Sequence, residues 1–306
     1  MARMSALRAL WAFLTALGLL ALGLTHIGWF APIGDALAVL RPHVIVLSLP
    51  VILGLFLLRL WRLAIVTGLC VVVSAFLGWR DWAGVASDTA DGLVIYQKNL
   101  LWNGQDRENL ALDIRESEAD IVTLQEVSRQ NQIVLEMLAA DFPFKVACQS
   151  AGNGGIAILS RWPLGEAPGG CQAGEGMILA EVRPPDGSRF YVASVHLNWP
   201  FPYDQARQVE RAIETLAQLE GPVVIGGDFN MVPWGSSVQR IAKAAGAERL
   251  GGYYSTYPGF GILAPLPIDH VLVPQNGTGR ILLRPRFGSD HHGLLAHVVL
   301  PNSDTG

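Results

Sequence analysis

Val223-Val224-Ile225-Gly226-Gly227-Asp228-Phe229-Asn230 is an apolar run that ends in an acid and an amide. A run of this length reads as a buried strand, and the side-chain period of two puts Asp228 and Asn230 on one face where the strand gives out. In isolation, Gly227 to Asn230 also suits a turn in which Asp and Asn satisfy their own backbone. The same pattern recurs, however. Val94 to Asn99 delivers an amide, Ile121 to Glu126 a carboxylate and Phe190 to His196 an imidazole. Two later segments, Pro267-Ile268-Asp269-His270 and Gly288-Ser289-Asp290-His291-His292, add acids next to histidines.

Each station alone has an ordinary reading. Gln125-Glu126 suits the solvated start of a helix, and His196 suits a packing histidine. Together they place acid, amide and imidazole groups at the ends of several strands of one domain, which packing does not require. Glu126 is the natural ligand for a hard divalent cation, which takes a few oxygens and keeps several waters. Asn99 offers an oxygen to a cation or a donor to phosphate. His196 is placed to donate to a phosphate or a leaving oxygen. An imidazole that handles a proton from water works best when a carboxylate fixes its tautomer, and Asp269 and Asp290 are the candidates. Zinc is disfavoured, because the surrounding donors are mainly oxygens and no ligand-spaced cysteine accompanies the histidines.

From Gly92 onward, apolar runs alternate with amphipathic stretches, the pattern of a layered α/β domain. Strands are expected at Leu93 to Gln97, Ile121 to Gln125, Gly155 to Ser160, Ile178 to Arg183, Phe190 to His196, Val223 to Gly227, Ile268 to Val273 and Leu294 to Leu300. Helices are expected at Glu108 to Glu118, Arg129 to Ala140, Asp204 to Leu219 and Ser236 to Ala245. Tyr254 to Pro267, rich in Gly, Pro and aromatics, reads as a long loop.

The 306 residues are 51% hydrophobic and 16% charged, and most of the continuous apolar sequence precedes Trp82. Three stretches, about 7–30, 37–58 and 63–79, approach the roughly 20 residues that cross a bilayer, so residues 1–80 read as an anchor of three transmembrane helices. A cleaved signal ending near Ala36-Leu37-Ala38 is the alternative for the first stretch. Arg3 and Arg8 before the first span, and Arg59 and Arg62 between the second and third, place those ends in the cytoplasm. The rest of the chain then lies outside it, on the periplasmic or extracytoplasmic side of the membrane. Asp35 marks the first connection, and Arg41 in the same place counts against the assignment. Residues 81–92 read as a linker reaching at most roughly 45 Å, and 93–301 as the catalytic domain.

Beyond position 80 there remain 16 basic and 25 acidic residues, a net charge of −9. That balance disfavours a polyanionic partner such as nucleic acid. Cys148 and Cys171 lie in the exported part, where an oxidising compartment permits a disulfide without requiring one.

The order of these motifs resembles the endonuclease/exonuclease/phosphatase superfamily, the DNase-I-like proteins, over roughly Leu93 to Leu300. The resemblance implies a four-layer α/β/β/α sandwich of two mixed sheets, an active site at one edge, and Mg²⁺, with Mn²⁺ as an alternative. By motif, Asn99, Glu126 in Leu-Gln-Glu-Val and Asp290 resemble the metal-site residues. His196, Asp228, Asn230, Asp269 and His291 resemble the catalytic set: Asp228 and Asn230 align water and bind phosphate, and Asp269 orients His291. After Ser289-Asp290-His291 this chain has His292-Gly293 where many members have a proline, and His270 stands where a tyrosine is frequent. The three-span anchor further resembles a bacterial membrane branch that includes a phosphatase linked to teicoplanin resistance. The implied activity is metal-dependent hydrolysis of a lipid-linked phosphate or pyrophosphate outside the cytoplasm. An exported nuclease and a non-catalytic membrane sensor are the alternatives. An aromatic lip, Trp199-Pro200-Phe201-Pro202-Tyr203, follows His196 and suits contact with lipid or packing on the sandwich.

Overall fold

A computed structural model describes residues 2–88, 92–149, 154–169, 174–259 and 265–301. The N-terminal region holds α1 (Ala2–Leu24), a 3₁₀ turn (Ile27–Trp29), α2 (Ile33–Ala38), α3 (Arg41–Leu57) and α4 (Trp61–Ala83). The rest runs β1 (Leu93–Asn99), α5 (Arg107–Glu116), β2 (Ile121–Val127), α6 (Gln132–Met137), β3 (Phe144–Cys148), β4 (Gly155–Ser160), β5 (Leu164–Gly165), β6 (Met177–Val182) and β7 (Phe190–His196). Then come α7 (Gln205–Leu216), β8 (Val223–Asp228), α8 (Ser236–Ala244), β9 (Ala247–Arg249), β10 (Asp269–Pro274), β11 (Thr278–Arg284) and β12 (Gly293–Val299).

Two six-stranded mixed sheets form, in the orders β11-β12-β1-β2-β4-β3 and β5-β6-β7-β8-β10-β9. The alternation of side chains explains the layering. Along β8, Val224 faces the other sheet among Ile95, Ile121, Ile178 and Val271, while Val223 and Ile225 face Val209 and Ala212 of α7 and Ile241 of α8. On the far side, Val122 and Leu124 of β2 pack under Ile114 of α5 and Leu135 of α6. The result is the four-layer α/β/β/α sandwich. Strands buried on both faces need apolar residues at successive positions, which is why the central strands are uninterrupted runs.

The N-terminal region differs from the expected three spans. Two helices, Arg3–Leu24 and Trp61–Ala83, are long and apolar enough to cross a membrane. The middle apolar helix is 17 residues and opens with Arg41, Pro42 and His43. At 1.5 Å per residue it is roughly 25 Å long, short of the roughly 30 Å hydrocarbon layer. The linker expected at 81–92 also differs. Helix α4 continues through Ala83, and Val85 at once forms a parallel bridge with Leu250. Residues 89–91 lie outside the described part. Cys70 on α4 is a free thiol, Cys148 is disulfide-bonded, and Cys171 falls outside the described residues.

Candidate active site

Pairing register brings the strand-end groups together. In the second sheet His196 lies opposite Asp228 on parallel strands, and Asp269 opposite Asp228 on antiparallel ones. In the first sheet Asn99 lies opposite Gln125, one residue before Glu126. The two sheet ends close on each other because Gly226 carries no side chain. A Cβ on Gly226 would stand 2.5 Å from Thr123 Oγ1 of the facing sheet, while one on Gly227 would stand 2.2 Å from Val195 O on the adjacent strand β7.

Glu126 does not simply end its strand. The ladder between β2 and β4 shifts register between Leu124 and Val127, and Glu126 takes φ 54°. A bulge with a left-handed residue re-aims a side chain, here into the cleft. Asn230 is likewise left-handed, at φ 47°. Such conformations are uncommon away from glycine and cluster where a site over-determines the backbone.

Asn99 Nδ2 donates to Glu126 Oε1 at 3.2 Å and to Asp228 Oδ2 at 2.9 Å, tying the two sheets' carboxylates together. Its Oδ1 accepts from Leu101 N, so the amide points its hydrogens rather than its oxygen at the carboxylates. Glu126 Oε2 accepts from Trp102 N at 2.7 Å. His291 Nδ1 meets Asp269 Oδ2 at 2.8 Å, which leaves Nε2 facing Asp228 Oδ2 at 3.7 Å and Asp290 Oδ1 at 3.9 Å. His196 Nε2 stands 3.8 Å from Glu126 Oε1 and 3.9 Å from Asp228 Oδ2. Asn230 spends its amide on Leu197 O and its backbone N–H on Asp228 Oδ1, so it shapes the loop while lining the cleft. All eight residues singled out from the sequence thus meet at one rim. Asp269 stands behind His291, and Asn99 beneath the carboxylates.

The electrostatics follow from burial and crowding. Burial lifts the Asp228 carboxyl to about 7, with His291 pulling against it. Burial alone would lower His291, but Asp269 and Asp228 overcome it and raise the imidazole to about 9. Asp269 stays below its usual range: burial opposes ionisation, and His291 with hydrogen bonds from its own ring, Thr256 and Gln97 more than compensates. Burial raises Glu126, against the bonds from Asn99 and Trp102. Burial, aided by the charge of His291, drops His196 to about 4.

Asp228, Asp269 and His291 offer atoms within 4.8 Å of one another. Because Nδ1 is already committed to Asp269, this trio reads as an oriented imidazole rather than a cage for a cation. The wall formed by Glu126 and Asp290 fits a hard divalent cation better. Asp290 Oδ1 is buried without a hydrogen-bond partner, and the two carboxylates offer the oxygens such a cation takes. Both carboxylates and His291 line a cleft of about 760 Å³.

Sequence reasoning missed the supports. Gln97 Nε2 donates to Asp269 Oδ1 and Gln125 Oε1, and Lys98, fully buried, donates from Nζ to His291 O. Ser289 Oγ donates to Asn99 O and accepts from His291 N. The signal for Gln97 was available: it lies two residues before Asn99 and therefore on the same face. His270 and His292 turn away, to Met231 O and Arg284 O.

The model of the Endonuclease/Exonuclease/phosphatase family matches residues 96–291, from β1 through His291. This chain belongs to that family. Its members hydrolyse phosphoesters and depend on divalent metal ions. No curated protein matches the chain. Among solved structures, the human Nocturnin catalytic domain with bound sulfate is similar at 17% identity and TM-score 0.55, covering 72% of this chain and 99% of that one. An endonuclease/exonuclease/phosphatase from Beutenbergia cavernae shares 20% identity at TM-score 0.53, over 70% of this chain and 73% of that one. A Staphylococcus aureus beta toxin with bound magnesium ions shares 14% identity at TM-score 0.50, over 68% and 99%. At these identities the likeness is one of fold.

Proposed function

We propose that this family member is a membrane-anchored hydrolase of a lipid-borne phosphate, acting outside the cytoplasm with Mg²⁺ or Mn²⁺. The observation that carries the reading is the convergence of Asp228, Glu126, Asp290 and the Asp269-backed His291 on one cleft. Glu126 and Asp290 would hold the cation, with Asn99 fixing Glu126 from beneath. When bound there, a divalent ion supplies Lewis-acid polarisation of a phosphoryl oxygen. Asp228 accepts the proton of the attacking water. His291, its Nδ1 fixed by Asp269, directs Nε2 toward the phosphoryl group, and His196, neutral, assists the leaving oxygen.

The lining supports a substrate with few charges. Among the described residues no Lys or Arg lines the cleft, which is edged instead by Trp102, Trp199, Tyr203 and Tyr257. The segments at 150–153, 170–173 and 260–264 contain no Lys or Arg either. A nucleic-acid backbone needs a basic track. This favours a single phosphoester with an apolar or neutral remainder over nucleic acid, and over a pyrophosphate.

Membrane anchorage is supported by the bare apolar faces of the long helices, with Phe13 59% exposed on α1, Leu47 69% on α3 and Val72 64% on α4. Helix α3 packs on both α1 and α4, and the α1–α3 connection and the α4 end both rest on the catalytic domain. With Arg3, Arg8, Arg59 and Arg62 at the helix ends away from that domain, the positive-inside rule favours the extracytoplasmic side for it.

The test is purified full-length protein in detergent with Mg²⁺, incubated separately with sphingomyelin, phosphatidylglycerol, a polyprenyl pyrophosphate and plasmid DNA. Release of a phosphorylated or free headgroup from a lipid phosphodiester supports the reading. Nicking of DNA with no lipid turnover selects a nuclease, and inertness toward all of them selects a binding protein.

A further inference from the structure

The connection between the first two long helices contains a single acid, Asp35, in the first turn of the short helix α2. An unpaired carboxylate between apolar helices would be solvated, yet Asp35 is buried. It lies against the N-terminus of α8, where the cap position is Gly235 and supplies no side chain. Oδ1 accepts from Ser236 N at 2.7 Å, and Oδ2 from Ser237 N at 3.0 Å and Ser236 Oγ at 2.9 Å. Asp35 thus performs, from 201 residues away, the work of an N-cap, satisfying two amides the helix cannot pair itself. The fit is close: a Cβ on Gly28 would stand 2.3 Å from Asp35 Oδ1.

From this cap a polar chain leads into the catalytic loops. Ser237 Oγ lies 2.5 Å from Asp35 Oδ2 and 2.8 Å from Gln205 Oε1, sharing one proton between two acceptors. Gln205 Nε2 donates to Asn198 O at 2.6 Å and to Phe229 O at 3.2 Å. Those carbonyls belong to the loops after His196 and after Asp228. Apolar contacts run in parallel. Ala38 and Val39 are buried in one cluster with Phe229, Met231 and Val238, and Trp234 Nε1 donates to Ala38 O. The membrane-side connection is therefore part of the floor on which Asp228-Phe229-Asn230 rests.

We propose that Asp35 is a positioning residue for the hydrolytic site: acting through Ser237 and Gln205, it couples the placement of the apolar N-terminal helices to the geometry of the loops that carry His196 and Asp228. The N-terminal region is on this view a structural component of the site as well as a tether. The inference rests on the reading of Asp228 as a site residue. Its first readout, though, is independent of turnover.

The experiment is amide hydrogen exchange on the full chain in detergent, comparing wild type with Asp35→Asn and Ser237→Ala. The second variant keeps the backbone cap and removes only the hydroxyl link, so it remains informative if the first fails to fold. Faster exchange is expected at residues 197–199 and 229–231 in both, with the β11–β12 hairpin unchanged. Where an active substrate is in hand, kcat is expected to fall on the order of 10-fold with KM held, as for removal of a group that orients a ligand from behind. Faster exchange confined to residues 236–238, with 229–231 at the wild-type rate, would overturn the coupling. Altered exchange in both loops without any turnover in wild type would instead leave the coupling standing and remove the hydrolase reading.

Discussion

The candidate catalytic rim and the N-terminal helices sit on either side of one interface, and they were legible to different degrees. At the rim, chemistry is concentrated where apolar strands stop, so residue type and spacing alone point to the groups that meet. At the helices, long apolar runs hide both their ends and buried polar residues such as Asp35, because hydropathy averages over a window while Asp35 bonds to two serines about 200 residues away. The difference teaches that a site is easiest to read where polarity departs from an apolar pattern, and hardest where a partner lies far along the chain.

The largest effect expected from breaking the rim is at Asp228. Asp228→Asn keeps the shape and one of the two bonds, from Asn99 or from the Asn230 N–H, while removing the proton acceptor, and kcat/KM should fall on the order of 10²-fold or more. Thermal unfolding should move little or upward, since burial already opposes ionisation there. A variant with wild-type turnover would detach the rim from the chemistry.

Glu126→Gln should cost about as much, and should also raise the Mg²⁺ concentration needed for half-maximal rate, on the order of 10- to 100-fold. Treatment of wild type with a chelator should abolish turnover, and added Mg²⁺ should restore it. An unaltered Mg²⁺ requirement in Glu126→Gln would move the cation site elsewhere.

Much of the fold was visible from the apolar runs. The sequence reading places eight strands within one or two residues of β1, β2, β4, β6, β7, β8, β10 and β12. The strands it misses, β3, β5, β9 and β11, are the four sheet edges. The physical reason is direct: an edge strand is not covered like a central one, so it carries no continuous apolar run. In β11, Leu282 and Leu283 are exposed alongside Arg280 and Arg284. Of the candidate site, the acids and imidazoles that converge were legible, but the contacts of Asn99 and Asn230 depend on which way an amide turns. Gln97, Lys98 and Gln205 act through backbone carbonyls and distant side chains, which spacing does not encode.

A moderate effect separates a packed histidine from a reacting one. His270 Nδ1 accepts from Arg249 Nε, so its proton is on Nε2, donated to Met231 O. Burial, with the Arg249 charge, depresses the imidazole to about 3. A depressed histidine contributes stability that is fully present above the unfolded value near 6.5. That stability is lost as pH falls toward 3, because the unfolded chain takes up a proton that the folded chain refuses. His270 contributes a slope of roughly 1.4 kcal/mol per pH unit in that window, beside His196 in the same sense and Asp228 in the opposite one. Chemical denaturation of wild type and His270→Phe between pH 7.5 and 4.5 isolates it as a difference in slope of about that size. An unchanged slope would place the titrating group elsewhere.

The smallest effect belongs to the lip. Phe201 and Tyr203 are 51% and 65% exposed beside the cleft. Replacing Phe201, which does not line the cleft, with alanine should weaken turnover on lipid vesicles several-fold while leaving a short soluble phosphodiester unaffected, since an exposed aromatic contributes modestly to interfacial binding. Equal losses on both substrates would make the lip part of the cleft rather than a membrane contact.

The account stands most directly on the oriented imidazole. Single-turnover hydrolysis of a lipid phosphodiester in Mg²⁺ by the full chain, wild type against Asp269→Asn, isolates it. Asparagine preserves size at a position that touches no substrate, yet removes the carboxylate that holds His291 Nδ1–H. The prediction is a fall in the chemical step on the order of 10²-fold or more with substrate binding unchanged. A chemical step at the wild-type rate in the Asp269→Asn protein would contradict it.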